Sequence, residues 1–135
     1  MRFKNTPDPM TTLEKNEVFV FGANTKGSHG AGSAGAAFKF YGAIMGEIHR
    51  TGRCYGIVTV EYGSLGMLNK ISKEELDNEF RLFFKAVECE PEKTFYLTKV
   101  GLGIAGWTVE EVLNSFNKYY FPGRHKNIVV PVEFE

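Results

Sequence analysis

Two glycine-rich segments constrain this chain more than any other feature, because each follows an apolar run and precedes a helix-like segment. The first spans residues 22–35 and contains five glycines, and the second spans residues 101–106 and contains three. Glycine lets backbone N–H groups turn toward an anion, and a helix N-terminus adds unpaired N–H groups and a partial positive charge. Two such loops on neighbouring strands predict a diphosphate site, whereas the alternative is that the glycines only form tight turns.

The segments around these loops alternate between strands and helices. Apolar, β-rich runs predict strands over residues 18–21, 55–60, 94–100 and 127–132, and an edge strand is an option at residues 1–4. Residues 1–16 otherwise form a polar lead-in. The pattern predicts a single domain over residues 1–135, with a mixed, largely parallel sheet covered on both faces by helices.

The helices carry clear start signals and apolar stripes. One helix is predicted over residues 34–45, and two others follow Ser-x-x-Glu or Thr-x-x-Glu capping boxes, formed by Ser72 with Glu75 and by Thr108 with Glu111. The phenylalanine-rich stripe after Ser72 is interpreted as core.

Composition restricts the class of partner. Sixteen basic and sixteen acidic residues give a net charge of zero, which disfavours a nucleic-acid partner. No apolar stretch approaches the length of a membrane span or a signal peptide, so a cytoplasmic location and no membrane partner are expected. Cys54 and Cys89 fit no metal or redox spacing and are predicted to be buried and reduced; no metal and no cofactor are expected.

The loop sequences also resemble a known family. Residues 24–34, Asn-Thr-Lys-Gly-Ser-His-Gly-Ala-Gly-Ser-Ala, resemble the ligand loop of macrodomains, which are α/β/α modules that bind ADP-ribose. Residues 103–107, Gly-Ile-Ala-Gly-Trp, resemble the second phosphate loop of that family. The likeness covers roughly residues 18–120 and is closest to short bacterial and phage members.

The resemblance implies a three-layer sandwich and an ADP-ribose-like ligand held by the two loops. The expected ligand contacts are Gly22, Ala23, Asn24, Gly27, Gly30, Ala31, Gly32, Lys99, Gly101, Gly103, Ile104, Ala105, Gly106 and Trp107. Asn24 would orient the distal ribose or a water molecule, and His29 would move a proton near pH 7. Hydrolysis of an ADP-ribosyl ester, glycoside or 1″-phosphate is one outcome of such a site.

Three other interpretations stay open. In the first, the chain is a non-catalytic ADP-ribose reader. In the second, it is a nucleotide-cofactor enzyme of the Rossmann type, which needs an acidic residue at a strand end to bind the ribose, and Glu61 is the only candidate. In the third, it is a single-stranded nucleic-acid binder.

Residues 62–66, Tyr-Gly-Ser-Leu-Gly, form either an ordinary turn or a segment that closes over a ligand. The sequence does not indicate a protein partner or an oligomeric state.

Overall fold

The computed structural model describes residues 1–29, 32–103 and 105–135. Within these ranges the chain forms six strands, three α-helices and two 3-10 turns. The α-helices and strands, in chain order, are β1 (Glu17–Asn24), α1 (Gly32–Phe40), β2 (His49–Thr51), β3 (Cys54–Tyr62), β4 (Leu68–Lys70), α2 (Lys73–Cys89), β5 (Thr94–Leu97), α3 (Val109–Tyr119) and β6 (Ile128–Val129). The 3-10 turns are Ser64–Gly66 and Val132–Phe134.

The strands form one mixed sheet in the order β2-β3-β1-β5-β6, with β4 also paired to β3. β1 runs parallel to β3 and β5, and β5 runs parallel to β6; β2 and β4 are antiparallel to β3. The α/β class with a mostly parallel sheet is therefore confirmed. Because the parallel strands share one direction, the carboxyl ends of β3, β1 and β5 meet at one edge.

Both predicted capping boxes are confirmed. The Ser72 hydroxyl accepts the Glu75 N–H at 3.1 Å and Glu75 accepts the Ser72 N–H at 2.9 Å, and Thr108 and Glu111 form the same pair of bonds at the start of α3. These bonds satisfy N–H groups that the helix leaves unpaired. The sequence therefore located the starts of α2 and α3 correctly.

Other boundaries differ from the prediction. Helix α1 ends at Phe40 because Gly42 adopts a left-handed φ of 82°, and residues 43–45 are not helical. β5 ends at Leu97, β6 contains two residues before Pro131, and residues 1–4 form no strand. The three-residue strands β2 and β4 were not predicted, because such short segments show no periodicity and form only by pairing with β3.

The predicted aromatic core is confirmed. Leu76, Phe80, Phe83, Phe84 and Val87 of α2 are all buried, against β3 on one side and α3 on the other. Phe84 contacts Phe116 of α3 in an edge geometry, with ring centroids 5.1 Å apart. Full burial of one such side chain contributes about 1.5–3 kcal/mol, so this stripe fixes α2 on the sheet and α3 on α2.

The two cysteines differ in environment. Cys54 is buried and donates to the Tyr41 carbonyl at 3.1 Å, and burial raises the pKa of its thiol to about 11. Cys89 is exposed, so the prediction that both thiols are buried is wrong for this residue. Cys89 ends α2 on a side of the helix away from the apolar stripe.

In the described part of the chain, no helix combines the length and apolar character needed to cross a membrane.

Candidate functional site

A groove runs along the sheet edge where β3, β1 and β5 end. It has two lobes: lobe one, of about 670 Å³, and lobe two, of about 480 Å³. Both lobes are lined by Gly32, Ser33, Lys99 and Gly103, so they form one continuous surface. Each volume lies in the range typical of small-molecule sites.

Lobe two lies where the two glycine loops meet. A Cβ atom added to Gly22 at the end of β1 would lie 3.6 Å from the Gly101 nitrogen and 3.5 Å from the Thr59 hydroxyl oxygen. Gly22, Ala23, Asn24, Gly101 and Ala105 all line this lobe. The loops therefore approach each other at one edge of the sheet.

The Asn24 side chain shapes the first loop. Its carbonyl oxygen accepts the N–H groups of Lys26 and Ser28, each at 3.1 Å, and its amide donates to the Ser28 carbonyl at 2.9 Å. This is the local side chain-to-backbone bonding for which Asn is favoured in turns. Asn24 lines lobe two, and three of its hydrogen bonds are used within the loop itself.

His29 packs inside the protein rather than on the groove. The residue is 1% exposed, its ring meets Phe21 edge-on at 5.3 Å, and its Nε2 lies 3.0 Å from the Ile44 carbonyl and 2.9 Å from the Glu47 carbonyl. Because both partners are carbonyl oxygens, which only accept hydrogen bonds, the Nε2–H of His29 donates to them and fixes the loop after α1. Among the described residues, His29 does not line either lobe.

Helix α1 presents an uncompensated N-terminus to the groove. Gly32 and Ser33 line both lobes, Ala34 lines lobe two, and the first turn of α1 contains no acidic residue. Helices α2 and α3, in contrast, each begin with two glutamates. Among the helices that the structure describes, α1 therefore presents to the groove a partial positive charge that no acidic residue of its first turn offsets.

The second loop is held by its own backbone. The N–H groups of Leu102, Gly106 and Trp107 donate to carbonyls within residues 99–103, at 2.9–3.3 Å. The capping box of α3 uses further N–H groups next to this loop. Gly101, Gly103 and Ala105, which all line lobe two, are therefore the described residues of this loop that are candidates for ligand contact.

Trp107 lies behind the second loop. It is 6% exposed, its indole N–H donates to the Thr59 carbonyl at 2.9 Å, and a Cβ at Gly101 would lie 3.1 Å from its ring. The pairing of β3 with β1 shifts between Ala23 and Asn24, which makes a bulge around Thr59. A bulge re-aims the backbone at a sheet edge, and Trp107 is bound to that backbone instead of lining the groove.

Lys99 is the cation shared by both lobes. Its ammonium lies 2.6 Å from the Asp8 carboxylate and 3.8 Å from that of Glu133. The hydrogen bond from Lys99 to Asp8 and the charges of Asp8 and Glu133 raise the pKa of Lys99, so it is positively charged near pH 7. Asp8 and Glu133 line lobe one, where they partly offset this charge.

Lobe one was not predicted from the sequence. The lead-in supplies Pro7, Pro9 and Met10, while Phe19 and Leu102 add further apolar surface. Backbone pairing fixes the lead-in: Thr6 donates its N–H to Val130 at 3.0 Å and its hydroxyl to Val129 at 3.1 Å. These contacts join residues more than 120 positions apart, so no local pattern indicates them.

The predicted site residues divide into three groups. Those on the groove are Gly22, Ala23, Asn24, Gly32, Lys99, Gly101, Gly103 and Ala105. Those not found on its described surface are Gly27, His29, Gly106 and Trp107; Gly27 is buried and donates its N–H to Asn24. Gly30, Ala31 and Ile104 lie outside the described residues. Sequence reasoning missed Ser33, Thr59 and Leu68 on lobe two, and it named Tyr62 only as the start of a segment that forms an ordinary turn or closes over a ligand.

Over residues 1–29, 32–103 and 105–135, no three His, Cys, Asp or Glu side chains come close enough together to hold a metal ion. No family model, curated protein or solved structure matches the chain.

Proposed function

We propose that the groove binds ADP-ribose or a related nucleotide diphosphate, and that the domain is a three-layer, macrodomain-like module. The single observation that carries this proposal is the meeting of both glycine loops, the α1 N-terminus and Lys99 on one continuous surface. Backbone donors and a nearby cation are the groups that a diphosphate requires.

The division of the groove supports an assignment of the ligand's parts. The diphosphate lies where the lobes join, within reach of Gly32, Gly103 and Lys99. The nucleoside occupies lobe one, whose apolar walls suit a planar base. The distal ribose occupies lobe two, beside Asn24.

Binding without hydrolysis agrees best with the groups in lobe two. Its described lining contains no carboxylate, imidazole or thiol. General acid–base catalysis most often uses one of these groups within hydrogen-bond reach of the reacting atoms, and the ionisable groups that do line lobe two are Lys99, which is paired with Asp8, and Tyr62. Asn24 and His29 are engaged in bonds that hold their own loops, so the proposed role is that of a non-catalytic reader.

The test is a thermal-shift and calorimetry panel of ADP-ribose, ADP, adenosine, pyrophosphate and inorganic phosphate. ADP-ribose at 100 times its dissociation constant adds about 2.7 kcal/mol to the free energy of unfolding, and we expect it to give the largest shift. Turnover of ADP-ribose 1″-phosphate is expected to be absent. Equal shifts with every phosphate would indicate only a general anion site, and the absence of any shift would contradict the proposal.

A further inference from the structure

A short hairpin stands beside lobe two. It comprises residues 61–70, called the arm here, in which Glu61 pairs with Asn69 and Tyr62 pairs with Leu68 around the turn Ser64–Gly66. Because the arm continues β3 beyond the carboxyl edge of the sheet, it begins next to the groove. Tyr62 and Leu68 both line lobe two.

The outer part of the arm is apolar and exposed. Leu65 is 97% exposed, Met67 60% and Leu68 41%. Leu65 also has a left-handed φ of 63°, a conformation that suits Gly or Asn and is unfavourable for leucine. Leu65 thus exposes an apolar side chain to water on a strained backbone. This combination indicates that Leu65 contacts a partner rather than only completing the turn.

Two cation–aromatic contacts connect the arm to the glycine loops. The Lys26 ammonium of the first loop lies 4.6 Å from the centroid of the Tyr62 ring, and the Lys70 ammonium of β4 lies 4.8 Å from the centroid of the ring of Trp107, which directly follows the second loop. A displacement of the arm therefore changes a contact with each loop. Trp107 is the only tryptophan in the sequence, so its emission reports on the arm.

We propose that the apolar tip of the arm packs onto the part of the ligand that extends beyond the diphosphate, and that Leu65 thereby selects a sugar-bearing diphosphate over one that ends in phosphate. This inference rests on the proposed function. A ribose presents C–H groups on its ring faces, and covering them with leucine and methionine removes apolar surface from water. ADP lacks this group and gains nothing from the arm.

The first test compares dissociation constants of ADP and ADP-ribose by calorimetry in the wild-type protein, Leu65→Asn and Phe121→Asn. Asn tolerates the left-handed backbone, and Phe121 is an exposed control outside the described lining of both lobes. We expect the wild type to prefer ADP-ribose at least fivefold, Leu65→Asn to reduce this preference to less than twofold, and Phe121→Asn to retain it. The melting temperature of Leu65→Asn should equal or exceed that of the wild type.

The outcomes separate the two proposals. If the wild type binds ADP-ribose but Leu65→Asn keeps the preference, or if the wild type shows none, the role of the arm is wrong and the proposed function stands. If neither nucleotide binds the wild type, the proposed function fails and the inference about the arm fails with it.

A second measurement follows Trp107 emission with excitation at 295 nm, where adenine does not absorb. We expect saturating ADP-ribose to change the emission more than ADP does, because the arm shifts Lys70 over the indole ring. In Lys70→Met the response to ADP-ribose should be lost while binding persists. Unchanged wild-type emission, under conditions where calorimetry shows binding, would contradict movement of the arm onto the ligand.

Discussion

At the scale of single residues, the candidate site is shaped by polar side chains that already form hydrogen bonds with other parts of the chain. Asn24, His29 and Trp107 carry the polar chemistry that the sequence offers near the loops, and all three bind neighbouring backbone. Gly22 and Gly103, in contrast, contribute no side chain and leave the groove open. If the groove binds the proposed ligand, backbone groups and Lys99 therefore supply more of the contact than acid–base side chains do.

Gly22→Ala tests this dependence on backbone. The added methyl group meets its neighbours at 3.5 Å or more, which is ordinary contact, so the free energy of unfolding should change by less than about 1 kcal/mol. The same methyl occupies the space between the loops, and calorimetry should show ADP-ribose affinity reduced at least tenfold. Gly123→Ala, which meets nothing within 4 Å in a remote loop, is the matched control and should change neither quantity. Wild-type affinity in Gly22→Ala would mean that the diphosphate lies elsewhere.

At the scale of secondary-structure elements, an ionic cluster joins α2 to α3. Asp77 of α2 accepts hydrogen bonds from Lys73, Ser115 and Lys118, two of which belong to α3. Burial alone would raise the pKa of Asp77, but the bonds from Lys118, Lys73 and Ser115 outweigh it and lower the pKa to about 2. The two helices are thus linked by charge as well as by their aromatic stripe.

Asp77→Asn should change the response of the protein to acid. Because the folded-state pKa lies below that of the unfolded chain, the carboxylate's stabilisation is complete above about pH 4 and is lost as the pH falls toward 2. We expect the variant to be less stable than the wild type by about 1–2 kcal/mol at pH 7, with the difference shrinking toward pH 2. Urea unfolding at pH 7, 4 and 2.5 measures it, with Glu92→Gln as an exposed control. A difference independent of pH would assign the effect to packing.

At the scale of the whole molecule, the groove joins segments from both ends of the chain. Residues 6–10, Pro131 and Glu133 line lobe one, the two glycine loops line lobe two, and Lys99 lines both lobes. A ligand that fills both lobes therefore contacts the lead-in, β1, α1 and the second loop at once, with Lys99 at the centre.

Lys99→Met should separate charged from neutral ligands. Loss of the central cation leaves Asp8 and Glu133 facing the ligand's phosphates, so affinity for ADP-ribose and pyrophosphate should fall about tenfold, which is ~1.4 kcal/mol. Adenosine affinity should stay within twofold, and Lys85→Met on the exposed side of α2 should have no effect. Calorimetry at two salt concentrations provides the check. An equal loss for adenosine and pyrophosphate would indicate a general disruption of the groove.

The elements whose signals are local could be predicted from the amino-acid sequence. The apolar run in β1, the two capping boxes and the phenylalanine stripe of α2 each rest on contacts within a few residues or on one helical period, so they could be read correctly. The α/β class followed from their order, and parallel strands placed the described parts of both glycine loops at one sheet edge.

The groove, in contrast, is built by the tertiary structure. It turned His29 and Trp107 away from the described groove surface, placed the arm beside lobe two, and brought residues 6–10 against β6 and Lys99 to form lobe one. These features depend on hydrogen bonds and ion pairs between residues far apart in the chain. These contacts stabilise the fold only when distant segments pack against each other. No local pattern of residue types therefore predicts them.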